Sequence, residues 1–139
     1  KDGLLAETLN QIKIKSPDRT TNQNALWLSE SLLNVLLTTS NLIKRGEFAH
    51  AHQSLSNVQK YLLWLIRITT DKTQHWESPT KSLEKDIDST WYSAYETVTS
   101  DLQPENIRSS FDNSLKLTEK LFEQLNIEPK LKEILSRIR

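Results

Sequence analysis

A chain of 139 residues with 18 Lys and Arg against 18 Asp and Glu is long enough for one domain with a core and too short for two. Zero formal net charge argues against a surface that tracks nucleic-acid phosphates, and the halves offset weakly: 8 basic and 5 acidic residues over 1–70, then 10 and 13 over 71–139. The longest apolar stretch, Tyr61 to Ile68, is interrupted by Arg67 and falls far short of the roughly 20 residues a membrane span requires.

Two Gly, and no Asn-Gly or Asp-Gly pair, leave little to build tight strand turns from. Apolar residues recur instead at spacings of three and four, which predicts an all-α chain. A first helix is expected from about Leu4 to Lys13, with Asp2 as its cap and Leu5, Leu9 and Ile12 on one face; Ser16-Pro17-Asp18 then breaks the pattern. The next starts near Thr20, which has capping-box spacing to Gln23, and carries Ala25, Leu28, Leu32, Val35, Leu36, Leu42 and Ile43. Lys44 and Arg45 suit its negative dipole end, and Gly46 can take the left-handed conformation that stops it. Glu47 opens a third helix whose Phe48, Ala51, Leu55, Val58, Leu62 and Leu65 form a heptad seam. A second stripe of Tyr61, Trp64 and Ile68 predicts more than one neighbour for it. So short a turn at Gly46 implies an antiparallel hairpin.

Asp71 to Pro79 reads as a loop, Pro79 to Ile87 as a short helix, and Trp91 to Thr99 as another, capped by Asp88 or Ser89. Pro104-Glu105 opens a long helix bearing Ile107, Phe111, Leu115, Leu121, Phe122 and Leu125, which Asn126 ends. Pro129 starts a last helix with Leu131, Ile134, Leu135 and Ile138. The expected architecture is one helical domain over residues 1–139, a bundle of about five to seven helices built on a long antiparallel hairpin. The absence of Cys excludes disulfides and thiolate metal sites and fits the cytoplasm, and no basic-then-apolar leader opens the chain. The absence of Met, at position 1 included, predicts a fragment, a processed chain or a sequence that has lost modified residues.

The usual catalytic signatures are missing. Gly3 and Gly46 stand alone, so there is no Gly-rich phosphate loop, and no Gly-x-Ser-x-Gly elbow occurs. His50, His52 and His75 have no metal-ligand spacing, so no metal site is expected in this chain. Arg45 and His50 have an Arg-x4-His spacing similar to that of HEPN-type helical ribonucleases, although Gly46 interrupts it; the simpler reading is a dipole cap followed by a surface histidine. Of the tryptophans, Trp64 reads as packing, and Trp27, near Asn24 and Glu30, as the edge of a pocket. Trp76 sits in a polar loop, where it either offers a stacking platform or folds back onto the bundle. Lys81, Glu84 and Lys85 would share one face of the short helix. With Trp76, and with Arg67 closing the preceding helix, they have the make-up of a polar-ligand pocket.

Several segments occur in an order and spacing that matter more than any one of them. They are Lys44-Arg45-Gly46-Glu47-Phe48-Ala49, Leu65-Ile66-Arg67, Trp76, Lys81-Ser82-Leu83-Glu84-Lys85-Asp86-Ile87 and Asn113-Ser114-Leu115. In this the chain resembles, from about residue 4 to 138, the C-terminal helical domain of the lincosamide nucleotidyltransferases, which are antibiotic-resistance enzymes. It is about one helical turn shorter than that family near Lys116–Leu125.

The resemblance implies transfer of a nucleoside monophosphate from ATP or another NTP to a drug hydroxyl, with Mg²⁺. It further implies an N-terminal nucleotidyltransferase domain that carries a Gly-Ser turn and an Asp-x-Asp pair. Neither is present here: Asp86 and Asp88 have the spacing but follow no strand and no Gly-Ser turn. What carries over is a helical half, without catalytic residues of its own, that closes over a small-molecule substrate and packs into a homodimer. Arg67, Trp76, Lys81 and Glu84 are the expected ligand-facing residues, joined by Asn24, Trp27 and Glu47. Arg67 and Lys81 would meet phosphate or polar groups, Trp76 would stack, and Glu84 would orient Lys81 or accept a hydroxyl. The alternatives are a helical interaction module with no small ligand and a HEPN-like ribonuclease.

Overall fold

Three-and-four spacing becomes helix in six segments of residues 21–138, the residues described by the computed structural model. The predicted Leu4–Lys13 helix and the Thr20 end of the capping box lie outside them. The six described helices are α1 (Thr21–Lys44), α2 (Phe48–Thr70), α3 (Leu83–Asp86), α4 (Ser89–Glu96), α5 (Pro104–Gln124) and α6 (Pro129–Ile138), and no strand occurs among the described residues.

Residues 45–47 join α1 to α2. Gly46 adopts φ +75°, its amide bonds the Ile43 carbonyl at 3.0 Å, and the Glu47 amide bonds the Leu42 carbonyl at 2.9 Å. This left-handed closure uses the last carbonyls of α1 and reverses the chain. Thr39 and Ser54 meet hydroxyl to hydroxyl at 2.6 Å near the turn, and the Trp27 and Tyr61 rings lie 6.5 Å apart farther along, so the two helices run antiparallel. Leu28, Leu32 and Leu36 of α1 are buried with Leu55, Val58, Leu62 and Ile66 of α2 and Ile107, Leu121 and Phe122 of α5. Helix α2 packs against α1, α4 and α5, the several neighbours its two stripes require. The α1 stripe is shifted slightly from expectation, with Leu33 buried while Val35 and Ile43 are half-covered.

Between α2 and α4 the structure departs from the sequence expectation. Only Leu83–Asp86 of the predicted Pro79–Ile87 helix is helical. The chain from Ser78 to Leu83 makes successive turns, and Ser82 sits at φ +54°. The carbonyls of Pro79 and Lys81, which a helix would offer to amides four residues on, accept hydrogen bonds from Arg67 instead. The common face expected for Lys81, Glu84 and Lys85 therefore does not form. Asp88 does cap α4, its carboxylate accepting from the Trp91 amide at 3.0 Å. Helix α4 ends at Glu96 rather than Thr99: the amides of Val98 and Thr99 bond carbonyls three residues back, and side chains from α2 and α5 satisfy the carbonyls beyond, Asn113 that of Thr97 at 3.0 Å, Gln59 that of Val98 at 2.9 Å and Ser110 that of Thr99 at 2.6 Å. Asn126 at φ +53° then separates α5 from α6. No helix of the described residues is long and apolar enough to cross a membrane.

Candidate functional site

The loop between α2 and α3 is built around one side chain. Arg67 closes the buried face of α2 at 0% exposure. Its Nε donates to the Pro79 carbonyl at 2.9 Å and one terminal nitrogen to the same carbonyl at 2.7 Å. That nitrogen also reaches the Lys81 carbonyl at 3.0 Å, while the other donates to the Lys72 carbonyl and to Asp86 Oδ2, both at 2.9 Å. A guanidinium's rigid fork can serve such divergent acceptors where a lysine's ammonium cannot. With its donors committed inward, Arg67 does not face a ligand, and the role expected of it is corrected to holding the loop in place.

Asp86 Oδ2 also lies 2.6 Å from His75 Nδ1. Hydrogen bonds from His75 first and Arg67 second hold the Asp86 carboxyl below its ordinary range, outweighing the effect of its desolvation. An ionised carboxylate can only accept, so His75 Nδ1 is the donor in this contact and Nε2 is the ring nitrogen left for another partner. His75 thus belongs to the site although its sequence spacing suggests nothing. Its partner is 11 residues away, across a loop whose path Arg67 sets.

The loop encloses an open concavity of about 330 Å³ whose lining includes His75, Trp76, Glu77, Ser78 and Lys81. The structure thus brings Trp76 and Lys81 to one wall. Trp76 is half-buried: its ring stacks on Trp64 with centroids 5.7 Å apart and planes at 25°, and its carbonyl accepts from Trp64 Nε1 at 2.8 Å. It both folds back onto the bundle and borders the cavity. Trp64 continues edge-on to Tyr61 at 5.7 Å, and Tyr61 to Trp27 at 6.5 Å, making a ladder of four rings. Lys60 Nζ lies 5.9 Å from the Tyr61 centroid and 5.5 Å from that of Trp64. Trp27, 53% exposed, is the open end of this ladder.

The remaining expected residues lie elsewhere. Glu84 is exposed on α3 and does not line the concavity. Asn24 is buried at 6% exposure and offers a ligand little surface. Glu47 sits at the turn, its carboxylate 2.6 Å from Arg45 Nε. The helix rise from residue 27 to 44 alone carries that turn about 26 Å from Trp27, so Glu47 is no part of the same site. Arg45 lies outside both helices while His50 is in α2 and exposed, so the Arg-x4-His pair straddles the turn.

The residues here do not make a divalent-cation site. Among the described residues no three His, Asp or Glu side chains converge, Asp86 is committed to Arg67 and His75, and Asp88 caps α4. A model of the family described as lincosamide nucleotidyltransferase-like, C-terminal domain, matches residues 21–138. No curated protein matches the chain.

Proposed function

The chain belongs to the lincosamide nucleotidyltransferase-like C-terminal domain family, and from that premise we propose that it is the helical half of a nucleotidyltransferase that holds a small hydroxyl-bearing acceptor. A lincosamide is the first acceptor to test. The NTP and Mg²⁺ would be held by an N-terminal catalytic domain, since Asp86 is committed to Arg67 and His75 and Asp88 to the cap of α4. The observation that carries the reading is the convergence of His75, Trp76 and Lys81 on one concavity. A sugar or ring face would lie along the Trp76–Trp64 stack, Lys81 would meet a polar or anionic substituent, and His75 Nε2 would accept a hydrogen bond from a hydroxyl.

The homodimer implied by the same reading would use the exposed Leu37 (50%) and Ile134 (38%). They line a groove whose rim carries Glu30 and Glu128 as well as Lys130 and Arg137, a mixture that a two-fold related copy can match. Sedimentation of Leu37→Lys against the parent chain tests that part.

The acceptor site is tested by steady-state kinetics of the chain joined to its catalytic domain. Trp76→Ala and Lys81→Ala should each raise the acceptor KM about tenfold or more and leave the NTP KM unchanged. Unchanged acceptor kinetics in both variants would overturn the assignment.

A further inference from the structure

A second concavity, of about 440 Å³, opens between the end of α1, the first half of α5 and the end of α6, and no residue of the 73–81 loop lines it. Its floor is apolar, lined by the core residues Phe111 (7% exposed), Leu115 (2%) and Ile138 (4%). Ser40 sits at its base, the hydroxyl donating to the Ile138 carbonyl at 3.4 Å. Its rim carries three cations, Lys44, Arg108 and Lys116, against one carboxylate, Asp112.

The negative dipole ends of α1 and α6 both reach this cavity, each equivalent to about half a charge against a rim excess of two cations. The last carbonyls of α1 are already capped by the amides of Arg45, Gly46 and Glu47. The ion pairs found among the described residues, at Arg45–Glu47, Arg67–Asp86, His75–Asp86 and Arg137–Glu133, all lie outside this cavity. Arg108 is held in place without a carboxylate, its guanidinium lying 4.8 Å over the Phe48 ring. That packing orders the cation and leaves its in-plane N–H donors for another acceptor.

We propose that this cavity binds a small amphiphilic anion, its ring or short alkyl body on Phe111, Leu115 and Ile138 and its single anionic group against Arg108, flanked by Lys44 and Lys116. The volume falls within the roughly 300–1,000 Å³ of small-molecule sites. The apolar floor selects an apolar body. The excess of rim cations selects a negative head over a neutral or positive one.

Two fluorescent probes of nearly identical shape test this. Anilinonaphthalene sulfonate is an aromatic monoanion, and N-phenylnaphthylamine is the same ring system without the sulfonate. The full chain should bind the sulfonate saturably, at one site, and at least tenfold more tightly than the neutral probe. Reversing the rim with Arg108→Glu and Lys116→Glu should erase that preference while leaving the neutral probe's affinity within about twofold. Both residues are exposed, so the fold should survive, and circular dichroism checks it. Lys132→Glu, at an exposed residue that lines neither this cavity nor the dimer groove, should leave the preference intact. The proposal is overturned if the sulfonate shows no saturable site, if rim reversal weakens both probes equally, or if Lys132→Glu lowers the preference as much as the rim variant does.

Discussion

Replacing Arg67 by Met keeps most of the buried volume and removes every donor. The five hydrogen bonds of the side chain reach three carbonyls, of Lys72, Pro79 and Lys81, and the Asp86 carboxylate. Breaking one side of a buried charged pair costs about 3–5 kcal/mol, and a carbonyl left without a partner about 1–3 kcal/mol where water cannot reach it. The loop can admit water to some of these groups, so the lower range, about 4 kcal/mol in all, is the expected loss. That is a large share of the roughly 5–15 kcal/mol that holds a domain together. With a urea m-value of about 2 kcal/mol/M, the unfolding midpoint should fall by about 2 M. Arg67→Lys should recover only part of it, because an ammonium cannot span carbonyls that the planar fork reaches together. A midpoint shift under about 0.5 M for the Met variant, with m unchanged, would refute the view that this arginine organises the loop.

Two further outcomes follow from single residues. The Asp86 carboxyl is held below its ordinary value of 3.8, so the unfolded chain binds more protons there in acid, and stability contributed by Asp86 is present above that value and lost as pH falls through the lowered one. The stability difference between the parent chain and Asp86→Asn, followed by denaturant unfolding, should shrink as pH falls below about 4; a difference that stays constant as the solution is acidified below that value would contradict the assignment. Gly46→Ala places a methyl group in open space, with no heavy atom within 4 Å, yet imposes a side chain on φ +75°. It should cost about 1–2 kcal/mol through backbone strain alone, and an unchanged unfolding midpoint would show that the turn relaxes.

The parts of this chain that could be read in advance are those set by near neighbours in sequence. Gly46, Asp88 and Asn126 mark helix ends because one residue's own conformation or cap decides them. The heptad seam of α2 is buried because adjacent turns share a face. The 71–79 loop is as expected, whereas the 79–87 segment departs from its expected helix because a distant group overrides local preference. Pro79 to Ile87 has helical spacing, but Arg67 captures its carbonyls from 12 and 14 residues away, and Ser82 takes a left-handed conformation that nothing in its neighbours signals. A clue to Arg67 was present: Leu65, Ile66 and Ile68 surround it with apolar residues on a helix, which points to burial rather than to a ligand. His75 was hidden because its partner is brought to it by that same arginine.

The reading that the 72–86 loop holds the acceptor is tested most directly by observing where an acceptor lands. NMR titration of the chain joined to its catalytic domain, with lincomycin as the first acceptor, should move the indole resonances of Trp76 and Trp64 and the amide of Lys81 most, saturably. The Glu47 amide, at the far end of the hairpin, should stay still. Saturable binding that leaves Trp76, Trp64 and Lys81 unmoved while shifting resonances elsewhere in the bundle would contradict it.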